Sequence, residues 1–105
     1  MILFPSERAA IEEVISRTRS ALPLVSAVSV FGSRARGSST PGSDLDLALH
    51  VDGERRPETS REVVAALSDL FADFGFLSIS TVYDRGVDPL RDSIRSEEVI
   101  QWKRS

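Results

Sequence analysis

The stretch Phe31-Gly32-Ser33-Arg34-Ala35-Arg36-Gly37-Ser38-Ser39-Thr40-Pro41-Gly42-Ser43-Asp44-Leu45-Asp46-Leu47 joins two apolar segments through a turn rich in glycine and serine. It closes on two carboxylates one residue apart, set among leucines. Successive strand side chains point to opposite faces. A strand over Asp44 to Val51 therefore puts Asp44, Asp46, Ala48 and His50 on one face and Leu45, Leu47, Leu49 and Val51 on the other. The leucine face can be core while the aspartates line a cleft. Residues two apart in a strand are separated by roughly 6.5 to 7 Å, so both carboxylates can reach one divalent cation, or two ions about 3.5 to 4 Å apart. Alone, Asp-Leu-Asp reads as an amphipathic edge strand with solvated aspartates.

The preceding Gly32-Ser33 shifts that reading towards phosphate binding beside a metal. Glycine lets the backbone approach a ligand closely, a serine hydroxyl can bond a phosphate oxygen, and the N–H groups of a helix starting there face an anion. Arg34 and Arg36 are two apart, so on a helix they cannot share a face. At most one of them is aimed at a nucleotide.

Together these residues resemble the hallmark of the nucleotidyltransferase superfamily of DNA polymerase β: Gly-Ser, a spacer, then Asp-x-Asp on a strand. The closer resemblance is to its minimal nucleotidyltransferase branch, with Gly-Ser-x-Ala-Arg-Gly, a short spacer and Ser-Asp-x-Asp-Leu. Here that pattern is Gly32, Ser33, Ala35, Arg36, Gly37, Ser43, Asp44, Asp46 and Leu47. The resemblance implies that Gly32, Ser33, Arg36 and Ser43 bind the nucleotide and that Asp44 and Asp46 are catalytic and hold Mg²⁺ or Mn²⁺. It further implies AMP transfer from ATP, or from another nucleoside triphosphate, to an acceptor hydroxyl. In that branch the chain is the antitoxin partner of a HEPN-type toxin, and a chain this short fits an acceptor supplied by another protein. The alternative is a catalytically degenerate binding module that neutralises its partner by contact.

One position departs from the family pattern. The family's third carboxylate lies on the next sheet strand, where this chain offers Ser78, or Ser80 if the register slips. Asp84 is the nearest acidic alternative, just past the strand.

Length and composition set outer bounds. At 105 residues, with 41% hydrophobic and 28% charged residues, the chain reads as one minimal nucleotidyltransferase domain over residues 1–105 with a single core. A net charge of −3 and a pI near 5.1 give no general attraction to nucleic acid or an anionic membrane, which disfavours a polymerase-like template partner. The absence of cysteine permits a cytoplasmic location and rules out thiolate metal ligands. Met1 to Pro5 is too short for a signal peptide and is followed at once by charges.

In chain order, Ser6 can cap a helix whose apolar stripe runs Ala9, Ala10, Ile11, Val14, Ile15, Thr18, Ala21, Leu22 until Pro23 ends it. Leu24 to Phe31 reads as a buried strand that delivers Gly32-Ser33. After the Asp44 to Val51 strand, Thr59 or Ser60 caps a second long helix carrying Val63, Val64, Leu67, Leu70, Phe71 and Phe74, stopped by Gly75. Phe76 to Tyr83 is the third strand, Asp88-Pro89 opens a short helix with Leu90 and Ile94, and Val99, Ile100 and Trp102 close the core. His50, beyond Ala48 on the aspartate face, reads as a rim residue. The element order predicts an α/β layer, a small mixed β-sheet packed with helices.

Overall fold

Alternation in the apolar runs calls for a sheet with one dry face. The computed structural model, which describes residues 1–105, contains a mixed four-stranded sheet in the order β3-β2-β1-β4. The elements are α1 (Pro5–Ala21), β1 (Val25–Phe31), α2 (Gly32–Arg36), β2 (Leu45–Val51), α3 (Pro57–Leu67), α4 (Leu70–Asp73), β3 (Leu77–Tyr83), α5 (Arg91–Glu97) and β4 (Val99–Lys103). β1 runs antiparallel to β2 and to β4. β2 and β3 are parallel, an arrangement that needs a crossover, which α3 and α4 supply.

The leucine face is the core. Leu45, Leu47, Leu49 and Val51 are buried together with Val28 and Val30 of β1, beneath Ala10, Ile11 and Val14 of α1 and Leu67 and Leu70 of α3 and α4. Each fully buried leucine contributes about 1.5 to 3 kcal/mol, so this alternation fixes the register: a slip by one residue would bury the aspartates instead. The opposite face carries Ser29, Phe31, Asp46, Ala48, His50, Ser78 and Val82 at paired positions. α5 covers part of it, with Ile94 packed on Ala48 and Val82 beside Phe31. Asp46, at the end of this face, is only partly buried.

Several elements differ from the sequence expectation. α1 starts at Pro5 rather than behind a Ser6 cap. Proline presets the first helical φ, and Glu7 Oε1 accepts the Phe4 N–H at 2.8 Å, tying the residue before the helix to its first turn and leaving Ser6 inside the helix. Pro57 likewise starts α3 ahead of Thr59, which is buried. The long second helix is two pieces. Ser68 and Asp69 keep helical angles, but the bonding tightens there, with Phe71 N–H to Ser68 O and Ala72 N–H to Asp69 O, and Arg17 grips the Asp69 carboxylate at 2.8 and 2.9 Å. Val64 and Phe71 consequently face outwards. β1, β2 and β3 each begin one residue later than alternation predicts.

The largest difference is the C-terminal segment. It forms β4, an edge strand on β1, instead of a simple apolar plug. Trp102 packs on the core, whereas Val99 and Ile100 remain exposed. Arg104 fixes this end: its guanidinium donates to Val25 O, Thr18 O and Leu22 O and lies over the Trp102 ring.

Candidate active site

Gly32 follows directly from β1 and opens α2. Its φ is +71°, and a Cβ there would collide with Asp46 Oδ2. Only glycine satisfies both demands, so the glycine of Gly-Ser exists to let the chain pass over an Asp46 carboxylate. The pairing of Phe31 with Asp46 across β1 and β2 creates this approach. Gly37 terminates α2 in the left-handed conformation, and Ser38 N–H closes the turn on Ser33 O at 3.0 Å. The motif's two glycines thus bracket a single tight helix whose first residue lies against Asp46.

Asp44 stands one residue before β2 and is exposed; Asp46 is the second residue of β2. Burial raises the Asp46 carboxyl above the usual carboxylate range. The charge of Asp44 adds to this, while the Ser78 hydroxyl and Arg36 oppose it. Two carboxylates that repel each other on one strand are what a divalent cation would relieve, and their oxygen chemistry suits Mg²⁺ or Mn²⁺. No third His, Asp or Glu is gathered with them, so a Mg²⁺ held by Asp44 and Asp46 would draw its other ligands from substrate oxygens and water.

The two arginines part company as their spacing requires. Arg34 turns towards α1: its Nε lies 2.7 Å from Glu7 Oε2, a buried ion pair whose angle is too poor for a hydrogen bond, and Nη1 donates to Ser39 Oγ at 2.8 Å. Arg36 turns to the site and donates to Glu97 Oε2 at 2.9 Å. Ser43 Oγ accepts Thr40 N–H at 2.9 Å and meets Thr40 Oγ1, holding the turn that presents Asp44. An open groove of about 430 Å³ runs beside Asp44 between Phe4, Arg34, Ser43 and Phe76.

Residues 12–99 match the family described as polymerase beta, nucleotidyltransferase. The chain belongs to that family. This nucleotidyltransferase-family chain also resembles solved structures at the level of fold. An inferred nucleotidyltransferase from Sulfolobus solfataricus superposes with a TM-score of 0.66 at 22% identity, covering 99% of this chain and 93% of that one. A toxin–antitoxin complex with AMP-PNP gives 0.61 at 17% identity, covering 89% and 73%. A complex of tri-AMPylated Shewanella oneidensis HEPN toxin with MNT antitoxin gives 0.60 at 14% identity, covering 93% and 73%. Comparison with curated proteins gives no match.

Within this nucleotidyltransferase fold, the register decides which serine adjoins Asp46. Ser78, not Ser80, is the cross-strand neighbour of Asp46; Ser80 faces Ala48. Asp84 is eliminated as a substitute. The parallel pairing sends it to the far end of the sheet, roughly 20 Å along the strands from Asp46, where it accepts the Gly53 N–H. His50 is not a rim residue. Its Nε2 meets Glu98 Oε1 at 2.5 Å and Ser29 Oγ at 3.5 Å, with little exposure. Both contacts fall on one ring nitrogen, so no serine–histidine–carboxylate relay is formed.

Sequence reasoning missed Glu97. Its Oε1 accepts the Gly32 N–H at 3.0 Å, while its Oε2 is the Arg36 partner. Arg36 and that backbone N–H hold the Glu97 carboxyl below its usual range. A separation of 65 positions from Gly32 leaves no spacing signal by which the sequence could reveal it.

Proposed function

We propose that this chain is a single minimal nucleotidyltransferase domain that transfers AMP from ATP to a hydroxyl on a HEPN-type partner protein. The observation that carries the reading is the contact of Gly32 with Asp46, which sets a phosphate-binding turn against an acidic pair. Asp44 and Asp46 would hold Mg²⁺ or Mn²⁺, which neutralises triphosphate charge when bound. Gly32 N–H, Ser33 and Arg36 face the phosphates, while Ser43 keeps Asp44 presented. The acceptor oxygen attacks the α-phosphorus, the bond to the β-phosphate oxygen breaks, pyrophosphate leaves, and the hydroxyl proton passes to solvent. Positioning and charge stabilisation supply most of the rate in phosphoryl transfer, so two carboxylates support a slow reaction. The structural likeness to toxin–antitoxin complexes supports the choice of partner.

A second reading is favoured by one observation, Ser78 beside Asp46 on β3, the strand on which the family resemblance implies a third carboxylate. A serine cannot take the acceptor's proton near neutral pH, and a chain lacking turnover would act by binding its partner.

Incubating the chain with ATP, Mg²⁺ and a purified HEPN-type protein, followed by intact-protein mass, separates the two. The proposal expects AMP added to the partner, and faster addition by Ser78→Asp, since a general base contributes about 10² to 10⁴-fold. Tight partner binding with no AMP added by either protein would favour the binding module. Rapid wild-type transfer that Ser78→Asp does not improve would show that the missing carboxylate is not limiting.

A further inference from the structure

Glu97 occupies, with one carboxylate, two of the groups that a triphosphate would use. Its Oε1 takes the Gly32 N–H and its Oε2 takes Arg36. It is the last residue of α5, and its side chain, 22% exposed, keeps an opening to solvent. Its charge also acts on Asp46, which a carboxylate recruited only for stability would do better to avoid. The next residue is anchored differently: Glu98 is held by His50 in the sheet. The chain is therefore pinned immediately after Glu97, and the Glu97 side chain can swing without releasing β4.

We propose that Glu97 is a built-in competitor for the nucleotide, an internal anion seated where the triphosphate binds and displaced when it arrives. The inference rests on reading Gly32 and Arg36 as phosphate-binding groups. A carboxylate suits the role: it offers two acceptor oxygens and one negative charge to a backbone N–H and a guanidinium. A metal-bound triphosphate offers more oxygens to the same donors and brings cations to Asp44 and Asp46, so it displaces Glu97 while a lone phosphate competes poorly. The contact lowers the apparent affinity of every anion that must displace it by the same factor, so a ligand with affinity to spare still binds while a weak one is kept out. If Glu97 holds the seat nine-tenths of the time, the apparent nucleotide affinity falls about tenfold.

The test is calorimetric titration of Mg²⁺–ATP into the full chain as wild type, Glu97→Ala and Glu97→Gln, with thermal melts confirming that each is folded. Glu97→Ala should bind about tenfold more tightly than wild type. Glu97→Gln, which keeps an acceptor for Gly32 but loses the charge facing Arg36, should fall between them. Inorganic phosphate, titrated alone, should gain by about the same factor from Glu97→Ala as Mg²⁺–ATP does, since both must displace the same carboxylate. Wild-type binding that both substitutions leave unchanged or weaken would overturn the competitor while leaving the phosphate seat intact. Absence of Mg²⁺–ATP binding in all three folded proteins would instead overturn the phosphate seat, and the competitor with it.

Discussion

At the scale of single residues, the site depends on Gly32 and Asp46 sharing one small volume. Gly32 and Gly37 have almost the same positive φ, +71° and +75°, but only Gly32 has a neighbour within reach of an added Cβ. Gly37→Ala should therefore cost about 1 kcal/mol of stability and spare nucleotide binding, whereas Gly32→Ala should cost about 1 to 3 kcal/mol and displace the Asp46 carboxylate. Denaturant midpoints and ATP binding measured on both variants check this, and equal binding by the two would contradict it. Asp46 makes a second prediction. Burial, with the help of Asp44, raises its carboxyl, so the fold favours the neutral form. Its contribution is present below the ordinary carboxylate pKa and is lost as pH rises through the raised value, leaving a cost at neutral pH. Without metal, Asp46→Asn should melt higher than wild type at pH 7 by a few degrees at most. The gain should vanish towards pH 3, and Mg²⁺ should stabilise wild type but not the variant. A variant less stable than wild type at pH 7 without metal would show that the charge is already compensated. These residues were legible because alternation and turn chemistry are local. Glu97, whose partners lie across the fold, was not.

At the scale of elements, β4 is the piece that the sequence hid. Val99 to Lys103 has no clean alternation, its burial reads exposed, exposed, intermediate, intermediate, exposed, and short edge strands carry little pattern of their own. What fixes it is one side chain beyond its end. Arg104 binds three backbone carbonyls at the end of α1 and the start of β1, adding a second donor to Thr18 O and Leu22 O, which already accept the N–H groups of Leu22 and Val25. Arg104→Ala should cost about 1 to 3 kcal/mol, read as a lower denaturant midpoint. Arg104→Lys, which cannot fork across the three carbonyls, should recover only part of it. No change in either would mean that β4 holds to β1 without this clamp. The division between α3 and α4 was hidden for the opposite reason: the apolar spacing continues through Ser68 and Asp69, and so do the helical angles, while the hydrogen bonds tighten.

For the whole molecule, the element order gave the class, a small mixed sheet with helices, because a strand–helix–strand crossover implies a parallel pair. The strand order was not readable, since nothing local says that β1 lies between β2 and β4. That order matters for the site. With β2 beside both β1 and β3, Asp46 is flanked by Phe31 and the Gly32 turn on one side and Ser78 on the other, so a metal and a triphosphate can be held at one end of the sheet by residues far apart in the chain. The central claim is that this end binds a metal-loaded nucleotide, and equilibrium dialysis of labelled ATP tests it most directly. Wild type should bind one ATP per chain in Mg²⁺ and lose it in EDTA, and Asp44→Ala or Asp46→Ala should each weaken binding by at least about tenfold. Binding that survives EDTA and both substitutions unchanged would place the nucleotide elsewhere and contradict the account.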